Sequence, residues 1–231
     1  MKKKWVILSI LGLIGIGTVT YAAEKFSTPN IEQSNICLEE ARAFDRKGNI
    51  ENCEKKLREA IMLNNKNAYA YYELGIIEAR KKNHDKAISL FTKAIQISPE
   101  EEEFYFARGG SEAFKYQLKA NIDDMNKVIE LNPKDGRAYA LLAATYMRFG
   151  HTEKAFEYIN QAIQYEKTSL DMWYQMRADL KLKSRDYVGA IADYKQAILE
   201  AKKGNEVNTA QKIEFLKQKI LETQEAIKAF K

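Results

Sequence analysis

Histidine, cysteine and proline are all scarce in this chain: two, two and three among 231 residues. Two cysteines cannot staple a secreted mini-protein, so the fold has to rest on an apolar core. With 45% apolar and 30% charged residues and only 11 glycines, the composition is that of an ordered, helix-rich protein. Neither histidine has a second ligand or a base near it in sequence, and both His84 and His151 are expected as solvated residues of turns. Nucleophile elbows, phosphate-binding glycine loops and paired CxxC cysteines are missing as well. No catalytic residue, metal ligand or cofactor site is assigned, and the chain is expected not to be an enzyme. One-sided charge is lacking too. The net +5 includes Lys2, Lys3 and Lys4, and without them it falls to +2, which is no electrostatic footprint for nucleic acid.

Long hydrophobic runs are absent with one exception, Trp5 to Ala23, which carries no charge and follows those three lysines. A basic start, an apolar stretch and small residues at Thr20 and Ala22 make residues 1–23 a signal peptide or an N-terminal membrane anchor. Both readings leave the lysines inside and everything after Ala23 extracytoplasmic: periplasmic, secreted, or held at the inner membrane by residues 5–23. Membrane contact is expected only through this segment. Residues 24–33, with Pro29, read as a short linker.

The other two prolines close apolar runs in the same way, at "KAIQISPE" and "KVIELNPK", with Pro99 and Pro133 thirty-four residues apart. The whole stretch repeats with them. Tyr71, Leu74 and Gly75 share one helical face, and Ala87, Phe91 and Ala94 share a second after a turn near Lys82 to Asp85. One period later come Tyr105, Gly109, Met125 and Val128; another brings Tyr139, Ala143, Ala155, Ile159 and Ala162. Stepping backwards gives Ala41, Gly48, Cys53, Leu57 and Ala60, and an offset of one residue gives Tyr174, Ala178, Ala190, Tyr194 and Ala197. Asn121 breaks the pattern where a small residue should stand. Ser98 is expected as a helix N-cap, with Pro99 at the first helical position and Glu101 completing a capping box. The acidic run Glu100 to Glu103 suits the positive end of that helix rather than a metal.

These residue types at these offsets resemble the tetratricopeptide repeat. The resemblance implies an all-α, right-handed α-solenoid of five helix–turn–helix units, 34–67, 68–101, 102–135, 136–169 and 171–204, with residues 205–231 as a C-terminal capping helix. Cys37 and Cys53 would then sit at different heights on two antiparallel helices, about 12 Å apart, too far to bond. Cys53 is expected as a buried small residue, and Cys37 nearer an exposed end.

In this family the first helix of each unit lines a concave groove that binds a protein or peptide partner. Carried over by repeat position, that groove consists of Tyr69, Tyr72, Ile76 and Arg80, then Phe106, Gly110 and Phe114. Leu141, Ala144, Met147 and Arg148 follow, and Met172, Gln175 and Met176 complete it. The lysine–asparagine clamp that a subset of the family uses for terminal carboxylates is absent at the matching positions. Two functions follow: an extracytoplasmic adaptor or assembly factor, or a membrane-tethered scaffold that oligomerises through the C-terminal helix. Homo-oligomerisation stays open.

Overall fold

The computed structural model describes residues 30–166, 168, 170–204 and 208–229, so the segment 1–23 and most of the linker lie outside the described residues. Among the described residues there are eleven helices and no strand: α1 (Ile31–Arg46), α2 (Ile50–Leu63), α3 (Ala68–Arg80), α4 (His84–Ile97), α5 (Glu102–Phe114), α6 (Leu118–Leu131), α7 (Gly136–Arg148), α8 (Thr152–Tyr165), α9 (Leu170–Lys183), α10 (Tyr187–Ala201) and α11 (Thr209–Ala229). The fold is an all-α solenoid of helical hairpins. It forms two compact units, one ending at Ile77 and the other starting at Glu78, so the division falls inside α3.

In the first unit α1 and α2 close on Cys37, Ala41, Cys53, Leu57 and Ala60, all buried. Ser34 donates its hydroxyl to the Ala60 carbonyl at 2.8 Å, and Asn67 donates to Ser34 Oγ at 2.9 Å, tying the start of α3 to both helices. Neither cysteine is in a disulfide. Cys37 is fully buried, which corrects the exposed position expected for it; burial raises its thiol pKa above the usual value.

In the second unit the crossings are made where small residues let helices approach. Ala87, Ala94, Ala155, Ala162, Ala190 and Ala197 are completely buried, and Phe91, Met125, Ile159 and Tyr194 fill the space around them. The third hairpin reaches the same closeness by a different division of volume. Asn121 takes the alanine position, fully buried, and donates Nδ2 to the Gly109 carbonyl at 2.8 Å. Gly109 makes room for the neighbouring Met125: a Cβ there would stand 2.6 Å from Met125 Cε. α11 packs against α10, and its Leu216 is buried beside Ala178, Tyr194 and Ala197.

Each turn inside a hairpin has the same backbone. Gly48, Lys82, Tyr116, Gly150 and Arg185 all have φ between 59° and 81°. The following residue donates its N–H to a carbonyl five positions back, as from Gln117 to Glu112 and from His151 to Tyr146. This is the Schellman closure of a helix C-terminus, which satisfies carbonyls the helix would leave open.

The turns between hairpins correct the expected use of proline. Ser98 ends α4 as its C-cap, at φ −135° and ψ 87°, and α5 starts only at Glu102, after Glu101. Pro99 therefore lies in the connecting turn rather than at a first helical position. A proline disfavours helical conformation in the residue before it, so Ser98 and Asn132 both leave helical geometry as C-caps. In the second case the N-cap is Asp135, whose carboxylate accepts from the Arg137 N–H at 2.9 Å.

Candidate functional site

α5 and α7 each turn a buried face inward and leave one arc to solvent. On α5 Phe104, Gly109, Ser111 and Glu112 are buried, while Phe106, Gly110 and Phe114 follow one another at four-residue spacing on the opposite arc. On α7 the open arc carries Arg137, Leu141, Ala144 and Arg148. Two contacts hold these arcs side by side. The Arg137 guanidinium stands over the Phe106 ring at 4.8 Å, and Arg148 donates Nη1 to the Ala113 carbonyl at 2.7 Å.

The two arginines differ in how much charge they keep. Arg137 is held by Asp135 at 2.7 Å and Glu103 at 2.9 Å, so it is neutralised within the fold. Arg148 pairs with no carboxylate among the described residues; it lies over the Tyr116 ring at 5.2 Å and keeps most of its donors toward solvent.

Phe114 is 67% exposed and Tyr116 68% exposed. The Phe114 ring is steadied by His84, stacked on it at 4.9 Å. His84 is thus the first residue of α4, half-buried, with Nδ1 buried and unpartnered, and not the solvated turn residue expected from the sequence. His151 is exposed as the N-cap of α8, its ring edge-on to Tyr146.

The remaining expected groove residues divide. Met172 is exposed, while Gln175 and Met176 are half-buried on α9; Met176, Leu141, Met147 and Phe106 also pack against the core of the second unit. Arg80 is exposed in the last turn of α3. In the first unit Tyr69 is partly exposed beneath the Arg42 guanidinium at 5.9 Å, with Tyr72 and Ile76 half-buried. A shallow depression of about 550 Å³ lies on α1, lined by Glu32, Asn35, Ile36, Glu39, Glu40 and Ala43, outside the expected set.

A buried ionic cluster escaped the sequence reading. Arg108 grips Asp124 with two hydrogen bonds, Nε to Oδ2 at 2.8 Å and Nη2 to Oδ1 at 2.6 Å, and Glu112 lies one turn further along α5. Burial, and next the charge of Asp124, push the Glu112 carboxyl up to about 7; its Oε2 has no hydrogen-bond partner. Sixty-nine residues on, Arg177 grips Asp193 in the same manner, and Lys181 replaces the glutamate. Burial works to raise Asp193, but hydrogen bonds from Arg177 and Lys181 outweigh it and hold the carboxyl below its usual range. The arginine–aspartate spacing of sixteen residues, recurring two repeats and the one-residue offset later, was the available signal.

Hairpins of this length with small residues at the crossings are those of the tetratricopeptide repeat, whose proteins are generally non-catalytic scaffolds that bind proteins or peptides. Tetratricopeptide repeat models match residues 38–102 and 125–157. Over 81 residues, 35% of this chain, it is 30% identical to TPR repeat-containing thioredoxin TTL4 of Arabidopsis thaliana, but the match spans only 12% of that protein. Among solved structures, residues 41 to the end of MamA from Desulfovibrio magneticus RS-1 superpose with a TM-score of 0.68 at 18% identity, over 75% of this chain and 98% of that one. YrrB, described as a TPR protein with an unusual peptide-binding site, gives 0.60 at 18% identity over 78% and 90%. At these identities the likeness is one of fold.

Proposed function

We propose that this chain is a non-catalytic interaction module, an extracytoplasmic adaptor or assembly factor that holds a polypeptide segment of a partner against the open arcs of its first helices. The observation that carries the reading is Phe114: a large aromatic ring, 67% exposed, propped by His84 and set next to the uncovered surface of Gly110. An exposed ring held in place loses little entropy when a partner covers it, which is how interface anchors work. The likeness to YrrB adds support for a peptide-sized ligand. The near-neutral balance outside Lys2–Lys4 speaks for a protein partner over nucleic acid.

The lysines and the uncharged run ahead of Glu24 support export, by signal peptide or by anchor. Mass measurement of the N-terminus of the mature chain separates these two.

The test is capture of a partner by the full chain, followed by affinity measurement with variants. Phe114→Ala is expected to weaken binding by about 2 kcal/mol, or roughly thirtyfold, with helicity unchanged. Val188→Ala, at an exposed position of a second helix, should bind normally. Normal binding by Phe114→Ala, with loss on removal of residues 205–231, would move the working surface to α11. That outcome favours the scaffold reading, for which the exposed Phe215 and Leu221 of α11 speak.

A further inference from the structure

The adjacent glycines of α5 have different reasons to be there. Gly109 is required by packing against Met125 and Asp124. Gly110 is not: a Cβ on it would meet nothing within 4 Å, and its φ lies outside the left-handed region. Glycine in a helix interior weakens the helix, so at Gly110 the fold bears a cost from which its own packing gains nothing.

The missing side chain leaves open surface midway between two rings. Phe106 lies four residues before Gly110 and Phe114 four after, their Cα atoms about 12 Å apart along the helix. His84 steadies one ring and Arg137 covers the other. On α7, between the contacts of Arg137 with Phe106 and of Arg148 with Ala113, the positions left partly open are Leu141 and the small Ala144. Arg148, the arginine without a carboxylate partner among the described residues, stands at the Phe114 end, bonded to the Ala113 carbonyl.

We propose that this notch receives one bulky aromatic side chain of the partner, seated on Gly110 between Phe106 and Phe114, with an acidic residue beside it meeting Arg148. The proposal rests on the groove reading above and specifies its ligand. An aromatic ring gains from offset or edge contact with the exposed Phe114 and with the edge of Phe106 beside Arg137. The planar guanidinium of Arg148 has donors left for a carboxylate.

Three blocked, labelled five-residue peptides serve as probes: tryptophan between glutamates, tryptophan between lysines, and leucine between glutamates. Fluorescence anisotropy with the full chain should rank the first at least tenfold tighter than either of the others. Gly110→Leu should lose at least tenfold for the first peptide, and Gly110→Ala should raise the melting midpoint by about 2–4 °C. Arg148→Gln should erase the preference for glutamate over lysine while keeping that for tryptophan over leucine. Equal binding of the three peptides, binding of none, or unchanged binding by Gly110→Leu overturns the notch. If the notch fails while capture of the partner still depends on Phe114, the groove reading stands without this ligand; if Phe114→Ala and Gly110→Leu both leave the captured partner bound, both fall.

Discussion

Replacing Glu112 by glutamine should change how the stability of the protein depends on pH, with a sign the structure dictates. Glu112 is buried against Asp124, and its carboxyl titrates at about 7 in place of 4.5. The folded chain therefore holds this proton more tightly than the unfolded chain does. Its contribution to stability is fully present below about pH 4.5 and is lost as pH rises through about 7. The gap between those two values corresponds to about 3 kcal/mol, an upper figure because Arg108 and local relaxation soften the cost of the charge. Glutamine keeps the shape and cannot ionise. Between pH 4.5 and 8 the wild-type chain should lose up to about 3 kcal/mol relative to Glu112→Gln. The Asp193 cluster gives no competing slope here, since a carboxyl held below its usual range loses its contribution only at more acid pH. Urea denaturation of both proteins across this range reads the difference, and hydrogen exchange of the α5 and α6 amides locates it. Parallel pH profiles for the two proteins would refute the reasoning.

Leu216→Ala should destabilise the end of the second unit by about 2–4 kcal/mol, because Leu216 is fully buried over Tyr194 and Ala197; thermal melting with exchange in α10 checks it, and an unchanged α10 would mean α11 is dispensable there. Cys37 and Cys53 should react with a thiol reagent only on unfolding and give no linked peptide in non-reducing mass spectrometry, since both are buried and outside any disulfide.

The periodic parts of this structure were legible from spacing alone. Ala87, Phe91 and Ala94, and their counterparts a period away, lie buried where the pattern puts them, because helix-to-helix distance depends on residue volume and volume is written directly in the residue type. What spacing could not convey were relations across elements. "ISPE" reads equally well as the end of one helix or the start of the next, and the difference is two or three residues of turn. His84 became half-buried because Phe114, thirty residues on, stacks on it. Glu112 sits on a face that looks polar until Arg108 and Asp124 fold over it. The open arc around Gly110 was placed by repeat position, yet its contrast with Gly109 needed the coordinates of Met125.

The five hairpin turns carry a consequence for variation. Their shape is fixed by two backbone hydrogen bonds, and the apex is filled by glycine at 48 and 150, lysine at 82, tyrosine at 116 and arginine at 185. A left-handed residue other than glycine costs about 1–2 kcal/mol, and at Tyr116 an exchange also removes the ring beneath Arg148. Mutation can therefore redecorate these turns one apex at a time, adding a ring here or a positive charge there, without touching a helix crossing. Diversity between close relatives of this chain should collect at those apices long before it reaches the alanines beneath them.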